Sequence, residues 1–491
     1  MSLKKNVVAN FGGSAWLALM GLAFVPFYIK LMGVESYGIV GVFTSLVGML
    51  AVLDLGLSQA MTREMALLSV DKKNANRIAD TARTLEIIYW CIALCVMVVI
   101  VLLSNFIAYR WLKPDQLSRE SLLHALWIMA LVIGLRWPVA IYNGGLNGLQ
   151  RQVLVNALLI VFATLQGAGA LAVLWFIEPT IHAFFLWQAL IALLQVAALR
   201  IALWRSLPTD TRGSFSKEVL RDIWRFAAGM SGISLTAVIL TQLDKVLLSK
   251  MLPLTEFGYY VFAATVAAAL HRIIAPIFTA YYPRLTELVS NNDQPGLAKT
   301  YHQACQLMAI AILPATLIVA FFSTEILELW TNNPDIVANC SLLVSLLIIG
   351  NALNGFMNMP YALQLAYGWT KLALYINVVA MIVLVPAIYF AASYWGPVGA
   401  AGTWIVLNTG YILIGIQLMH RRLLPDEKWR WYLSDVVMPI IVASLIIWIG
   451  KAVMVRDLGD IKRAMMLLMI FGMATASMII SSKYLKINQN R

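Results

Sequence analysis

Arg136, Lys245 and Arg272 fall inside apolar stretches about 20 residues long, together with Asp54, Asp244 and His271. A Lys or Arg facing lipid at mid-helix costs about 2.5–3.5 kcal/mol on insertion scales. These side chains must therefore line a hydrated cavity or pair with acids. Facing a cavity, they can hold an anion. A guanidinium offers a bidentate fork to phosphate oxygens, and an ammonium acts as a point charge. One such contact near 4 Å is worth about 4 kcal/mol at an effective dielectric of 20. The duller assignment is an ion pair of Arg136 or Arg272 with Asp54 that merely holds helices together. Asp54 and Asp244 have two roles open to them, charge pairing or coupling to protons or cations. His271 cannot share a face with Arg272, because neighbours on a helix point about 100° apart, and it reads as a packed, neutral histidine. His124, His182, His302 and His420 are scattered without metal-ligand spacing, so no metal and no cofactor are expected.

The elements that carry these charges follow from composition. Of 491 residues, 61% are hydrophobic and 12% charged, and the mean hydropathy is +0.80. That excludes an ordinary soluble enzyme or nucleic-acid-binding module and implies an all-α polytopic membrane protein. Apolar windows fall near 10–31, 37–62, 84–108, 121–142, 153–176 and 182–204, then 226–249, 257–282, 303–324, 340–363, 372–394 and 397–419, and finally 435–455 and 462–482. These windows predict about 14 transmembrane helices, of which 37–62 and 257–282 carry internal charges. The expected organisation is an N-terminal six-helix bundle (1–204), a cytoplasmic linker (205–225), a second six-helix bundle (226–420) and two further helices with a tail (421–491). Most of the 36 Lys and Arg residues lie on one side of these windows, which predicts both termini in the cytoplasm and accounts for the net charge of +12 without nucleic acid. With that orientation, Asp54, Arg136 and Arg272 sit about 22–26 Å below the outer face, and Asp244 and Lys245 lie near it.

An offset of 220 residues places Gly12 on Gly232, Ser14 on Ser234, Lys30 on Lys250, Gly38 on Gly258 and Gly148 on Gly368. A duplication with an even number of spans per half predicts two bundles related by pseudo-twofold symmetry about the membrane normal, around a central cavity. Pro138 and Pro276 should kink the helices carrying Arg136 and Arg272. Thr241, Lys245 and Ser249 should form one polar stripe. Trp429, Trp431 and Tyr432 read as interfacial anchors, and the four cysteines as buried structural thiols.

Several stretches resemble a known family. These are the opening Asn-Phe-Gly-Gly-Ser, Leu53-Asp54-Leu55-Gly56, Thr62-Arg63-Glu64, Gly144-Gly145-Leu146-Asn147-Gly148-Leu149-Gln150-Arg151, Gln242-Leu243-Asp244-Lys245 and Gly368-Trp369-Thr370-Lys371. Together they resemble the Wzx-type polysaccharide and O-antigen flippases of the multidrug/oligosaccharidyl-lipid/polysaccharide exporter superfamily. The resemblance implies alternating access around a cationic cavity in the bacterial inner membrane. It implies a cargo of undecaprenyl-pyrophosphate-linked oligosaccharide repeat units for O-antigen, capsule or exopolysaccharide. Arg136, Lys245 and Arg272 are where the lining that grips the pyrophosphate would fall, and the last two helices could form a groove for the lipid tail. Membrane lipids and other polysaccharide assembly proteins are the further partners implied.

The alternative within the superfamily is an ion-coupled multidrug or toxin extruder, which wants an acidic cavity; here the cations Arg136, Lys245 and Arg272 outnumber the acids Asp54 and Asp244. A membrane glycosyltransferase or polymerase would want paired acids in a sizeable outer loop. Glu325, Glu328 and Asp335 instead sit in a short stretch that reads as a solvated acidic loop.

Overall fold

The computed structural model describes residues 3–68, 75–207, 213–454 and 459–482, and every regular element among them is helical. A hydrocarbon environment offers backbone groups no water, so a chain this apolar satisfies them within helices. Contacts divide the chain into two compact units, Met1–Gly258 and Tyr259–Arg491.

The first unit runs α1 (Leu3–Ala23), α2 (Val25–Met32), α3 (Val34–Leu50), α4 (Leu57–Leu68), α5 (Ala75–Phe106), α6 (Arg119–Arg136), α7 (Val139–Gly148), α8 (Gln152–Phe176), α9 (Ile181–Ser206) and α10 (Lys217–Met251). The second runs from α11 (Leu254–Ala268), which begins just before the division, through α12 (His271–Ser290), α13 (Gln294–Phe321), α14 (Ser323–Thr331), α15 (Pro334–Ala366), α16 (Thr370–Gly410), α17 (Ile416–His420), α18 (Lys428–Arg430), α19 (Met438–Val453) and α20 (Asp460–Ser481).

Twelve helical runs among the described residues are long and apolar enough to cross a membrane, against the fourteen windows of the sequence. The windows 372–394 and 397–419 share the single run Thr370–His420, interrupted at Gly396, whose φ of 57° and ψ of −143° are not helical. The window 226–249 lies in α10, outside the twelve.

The two windows carrying internal charges are both broken. After α3 the chain makes a 3-10 turn over Ala51–Asp54, then Leu55 and Gly56 take left-handed φ values of 49° and 77° before α4 begins. Glycine supplies the second of these at no steric cost, which explains Asp-Leu-Gly at this position. The other break separates α11 from α12 at Ala269–Leu270. It precedes Arg272, so Pro276, inside α12, is not itself the hinge. Pro138 behaves as expected: α6 ends at Arg136 and Pro138 caps α7.

Packing of α4 on α7 shows why the Gly-Gly-Leu-Asn-Gly stretch is rich in glycine. A Cβ on Gly144 would lie 2.6 Å from the Ser58 carbonyl oxygen, and one on Gly148 would lie 2.4 Å from that of Thr62. Two glycines four residues apart thus meet two carbonyls four residues apart, bringing the backbones together around Met61, Met65, Tyr142 and Leu146. Gly148→Ala should cost about 1–3 kcal/mol by overpacking. A thermal unfolding midpoint equal to wild type in detergent would show that this crossing can relax.

In the second unit α13 packs against α12, α15, α19 and α20. Four sequence expectations are corrected. Trp431 is fully buried instead of anchoring at an interface, while Trp429 is exposed. Cys91 and Cys95 are exposed, lining an apolar recess of about 480 Å³ with Leu50, Leu53 and Val99, whereas Cys305 and Cys340 are buried. His271 is exposed, because the break at Ala269–Leu270 sets it at the start of a new helix. Glu325 and Glu328 lie on α14 instead of a loop and pair with Lys451 and Arg463, tying α14 to the C-terminal helices, while Glu328 and Asp335 are exposed as expected.

Candidate functional site

Arg136 is the last residue of α6, presented by the break at Trp137–Pro138 to a cavity of about 330 Å³. Asp54, Ser58 and Tyr89 supply the other polar groups of the lining, and Val47, Ala51, Ile133 and Ala140 much of its apolar wall. That volume is at the small end of ligand pockets and suits a charged head group, not an oligosaccharide.

The guanidinium is held by neutral groups. Its Nη2 donates to Gln188 Oε1 at 2.6 Å, and its plane lies over Phe43 with Cζ 5.6 Å from the ring centroid. Gln188 is buried, and its own amide donates to the Gln166 carbonyl at 3.2 Å, which leaves Oε1 turned to Arg136. The Arg136 Nε is shielded from solvent and has no hydrogen-bond partner. Asp54 is satisfied separately, since Ser58 Oγ donates to Oδ2 at 2.9 Å and the Tyr89 hydroxyl donates to Oδ1. Two opposite charges therefore share a cavity, each with its own partners, and the ion pair of Arg136 with Asp54 is not formed. The arrangement leaves a cation with an unused donor beside a carboxylate whose oxygens are both engaged.

The other sequence candidates lie elsewhere. Asp244 and Lys245 are half-buried on α10, which packs on α3 and on the Ala51–Asp54 turn. Lys245 Nζ lies 3.5 Å from the Thr241 carbonyl and from Gln242 Oε1. Gln242 fills the space that a Cβ on Gly48 of α3 would occupy, at 2.7 Å. The predicted polar stripe is incomplete, because Ser249 is buried and accepts from Trp111 Nε1 at 3.0 Å. Arg272 belongs to the second unit and is exposed at the start of α12.

Sequence reasoning missed a charged cluster at the edge of this unit. Glu86 of α5 is buried, and accepts from Arg200 Nε at 2.6 Å, Arg83 Nη1 at 2.8 Å and the Tyr142 hydroxyl at 2.7 Å. It joins α5, α7 and α9. The readable signal was Arg83-x-x-Glu86 at helical spacing, while Arg200 and Tyr142 are distant in the chain and leave no local pattern.

Comparison with known proteins places this geometry in a family. The family model described as "Polysaccharide biosynthesis protein" matches residues 3–289, more than half of the chain, and the MatE model matches 230–390. A Shigella flexneri protein assigned to O-antigen transport is 22% identical over 407 residues, covering 83% of this chain and 95% of the relative. An Escherichia coli K12 protein with the same assignment is 23% identical over 308 residues, covering 60% and 68%. Among solved structures, the lipid II flippase MurJ in an inward closed conformation superposes with a TM-score of 0.71 at 12% identity, covering 96% of this chain and 98% of that one. An inward-facing multidrug resistance MATE family transporter superposes with a TM-score of 0.65 at 16% identity, covering 87% and 96%. The chain thus belongs to the polysaccharide biosynthesis protein family, and its helices take the fold seen in MurJ and the MATE structures.

Proposed function

We propose that this protein flips undecaprenyl-pyrophosphate-linked oligosaccharide repeat units, of O-antigen, capsule or exopolysaccharide, from the cytoplasmic to the periplasmic leaflet of the bacterial inner membrane. It does so by alternating access, with both termini in the cytoplasm. The observation that carries this reading is Arg136: a desolvated guanidinium with an unused donor, in a cavity of head-group size, beside a carboxylate that is already satisfied. Arg136 and Lys245 supply positive charge from the first unit, and Arg272 is the candidate of the second. The relatives' assignments to O-antigen transport support the same cargo class. Other polysaccharide assembly proteins are the macromolecular partners this cargo implies.

A strain lacking the gene tests the proposal. Full-length lipid-linked oligosaccharide should accumulate in the inner membrane while surface polysaccharide falls, and the gene should restore both. In a strain without a redundant flippase, unchanged lipid intermediates would overturn the proposal. They would favour the second reading, an ion-coupled multidrug or toxin extruder, which has the MatE match over 230–390 in its support. Within the flippase reading, Arg272→Ala at normal membrane levels should reduce surface polysaccharide sharply; wild-type polysaccharide in that variant would remove Arg272 from the substrate path.

A further inference from the structure

His302 sits between two carboxylates with no exposure at all. On one side its Nδ1 meets Oδ2 of Asp435, which is equally buried. On the other, its Nε2 lies 2.9 Å from Oε2 of Glu427. The second oxygen of Asp435 accepts from Gln306 Nε2 at 3.0 Å, and Gln306 Oε1 accepts from Ser482 Oγ at 2.8 Å. Glu427 also pairs with Arg430 at 3.3 Å. Titratable neighbours among the described residues include Tyr301 and Cys305, on the same helix, Tyr432, and His420, whose ring makes edge contact with Tyr301, as His302 does.

A proton count shows what this arrangement requires. An ionised carboxylate only accepts hydrogen bonds. A neutral imidazole donates from one nitrogen and presents a lone pair at the other. With both carboxylates ionised, a neutral ring would aim that lone pair at a carboxylate oxygen at hydrogen-bond distance, in a site of low dielectric where the mismatch is costly. Both contacts are satisfied only when the cluster carries one further proton, on the ring or on a carboxyl group.

Two independent features fit a site that exchanges this proton. Asp435 lies on a π-helical turn, Trp431–Val437, a widened geometry that recurs at functional positions. A cavity of about 190 Å³, lined by Gln306, Ser434, Ser481 and Ser482 on its polar side and by apolar residues such as Met438, Val442 and Met478 elsewhere, reaches the residue that holds Asp435. Its polar side lies within one hydrogen bond of the carboxylate, through Gln306.

We propose that His302, Asp435 and Glu427 form a proton-binding site that titrates as one unit and fastens the C-terminal helix pair to α13 while the proton is bound. With the proton present, both ring nitrogens make hydrogen bonds and the three groups carry a net charge of about −1, which Arg430 balances. On release the proton passes to water, the net charge becomes about −2, and one of the two contacts turns from attraction to repulsion. The turn 431–437 then loosens from α13. This site is separate from the anion cavity and does not depend on the identity of the cargo.

The test uses the full-length protein in lipid nanodiscs. Nitrogen-15 histidine labelling reports the His302 ring, identified by difference from His302→Gln. Infrared spectroscopy reports a protonated carboxyl, identified by its loss in Asp435→Asn or Glu427→Gln. At pH 7 the cluster should show either a ring with two N–H groups or a neutral ring beside a protonated carboxyl. Where raised pH removes that proton, amide exchange over 431–437 should accelerate about tenfold beyond intrinsic base catalysis. Asp435→Asn, whose amide can satisfy a neutral ring, should fold and lose the extra acceleration. A neutral ring with both carboxylates ionised at pH 7 would overturn the site. Proton loss without faster exchange over 431–437 would overturn its role as a fastener.

Discussion

Arg136→Met should lower the rate of lipid-linked oligosaccharide translocation by about 10²–10³-fold, the loss of one close charge contact worth about 4 kcal/mol, while leaving thermal stability equal or improved. The second half of this expectation separates function from structure. A guanidinium held by one neutral amide and one aromatic face is a poor structural device in a site of low dielectric. Replacing a buried charge with an apolar chain of similar length is often neutral or stabilising when no opposite charge is left behind without partners. Asp54, the opposite charge that remains in the cavity, is not left without partners, because it keeps Ser58 and Tyr89. If Arg136 can be removed without structural penalty, its place in the cavity is explained by what it binds. Flux through reconstituted vesicles and the unfolding midpoint of the same preparation check both parts. A midpoint that falls along with the flux would return Arg136 to a packing role.

Arg136 also shows how far the sequence could be read. Its placement in an apolar window, with Pro138 close behind, announced a cation that faces a cavity or an acid beside a helix break, and the structure sets Arg136 on a cavity wall at such a break. Asp54 was placed at the same depth in the sequence, as an ion-pair partner of Arg136 or Arg272 or as a coupling site. The separate partners of the two charges were not legible, because Gln188 and Tyr89 come from other helices and a Gln or Tyr in an apolar stretch carries no mark of what it faces. Lys245 illustrates the same limit: periodicity placed it in a stripe with Ser249, yet Trp111, far away in the chain, takes Ser249 into the core. His302 is the strongest case. In the sequence it is one of four scattered histidines without metal-ligand spacing, and only the fold brings Asp435 and Glu427 to its two nitrogens. The helical class is legible from local composition and periodicity; a cluster drawn from four separate segments is not.

Glu35→Ala should release the ends of three segments together. Glu35 is the second residue of α3 and 7% exposed. Its carboxylate accepts the backbone N–H groups of Asp115, Gln116 and Leu117 at 2.6, 2.9 and 3.1 Å. The same loop holds the start of α11. Asp115 Oδ2 accepts from Thr255 Oγ1 at 2.6 Å, Lys113 Nζ donates to the Met251 carbonyl at 2.9 Å, and the Leu254 N–H donates to the Lys113 carbonyl at 2.9 Å. Beside this knot the two helices cross closely. A Cβ on Gly38 would lie 2.6 Å from the Leu254 carbonyl oxygen, and one on Gly258 would lie 2.4 Å from that of Val34. These four positions are mates under the 220-residue offset, so each glycine faces the counterpart of the residue that faces the other. The proposed orientation sets this knot on the periplasmic side, where a carrier with alternating access must part its helices once per cycle. Three charge-assisted bonds of about 1.5–3 kcal/mol each end on one carboxylate, so it is the point at which a single change acts on all of them. Amide exchange at 115–117 should rise at least about tenfold in Glu35→Ala, corresponding to loss of no more than one such bond. Glu35→Gln keeps one accepting oxygen and should fall between the two. Translocation should drop several-fold in the alanine variant, because a clamp that no longer closes shifts the population away from the closed state. Unchanged exchange at all three amides would mean that the contacts with Met251, Leu254 and Thr255 hold the loop without Glu35, and that Glu35 is not the residue that secures this closure.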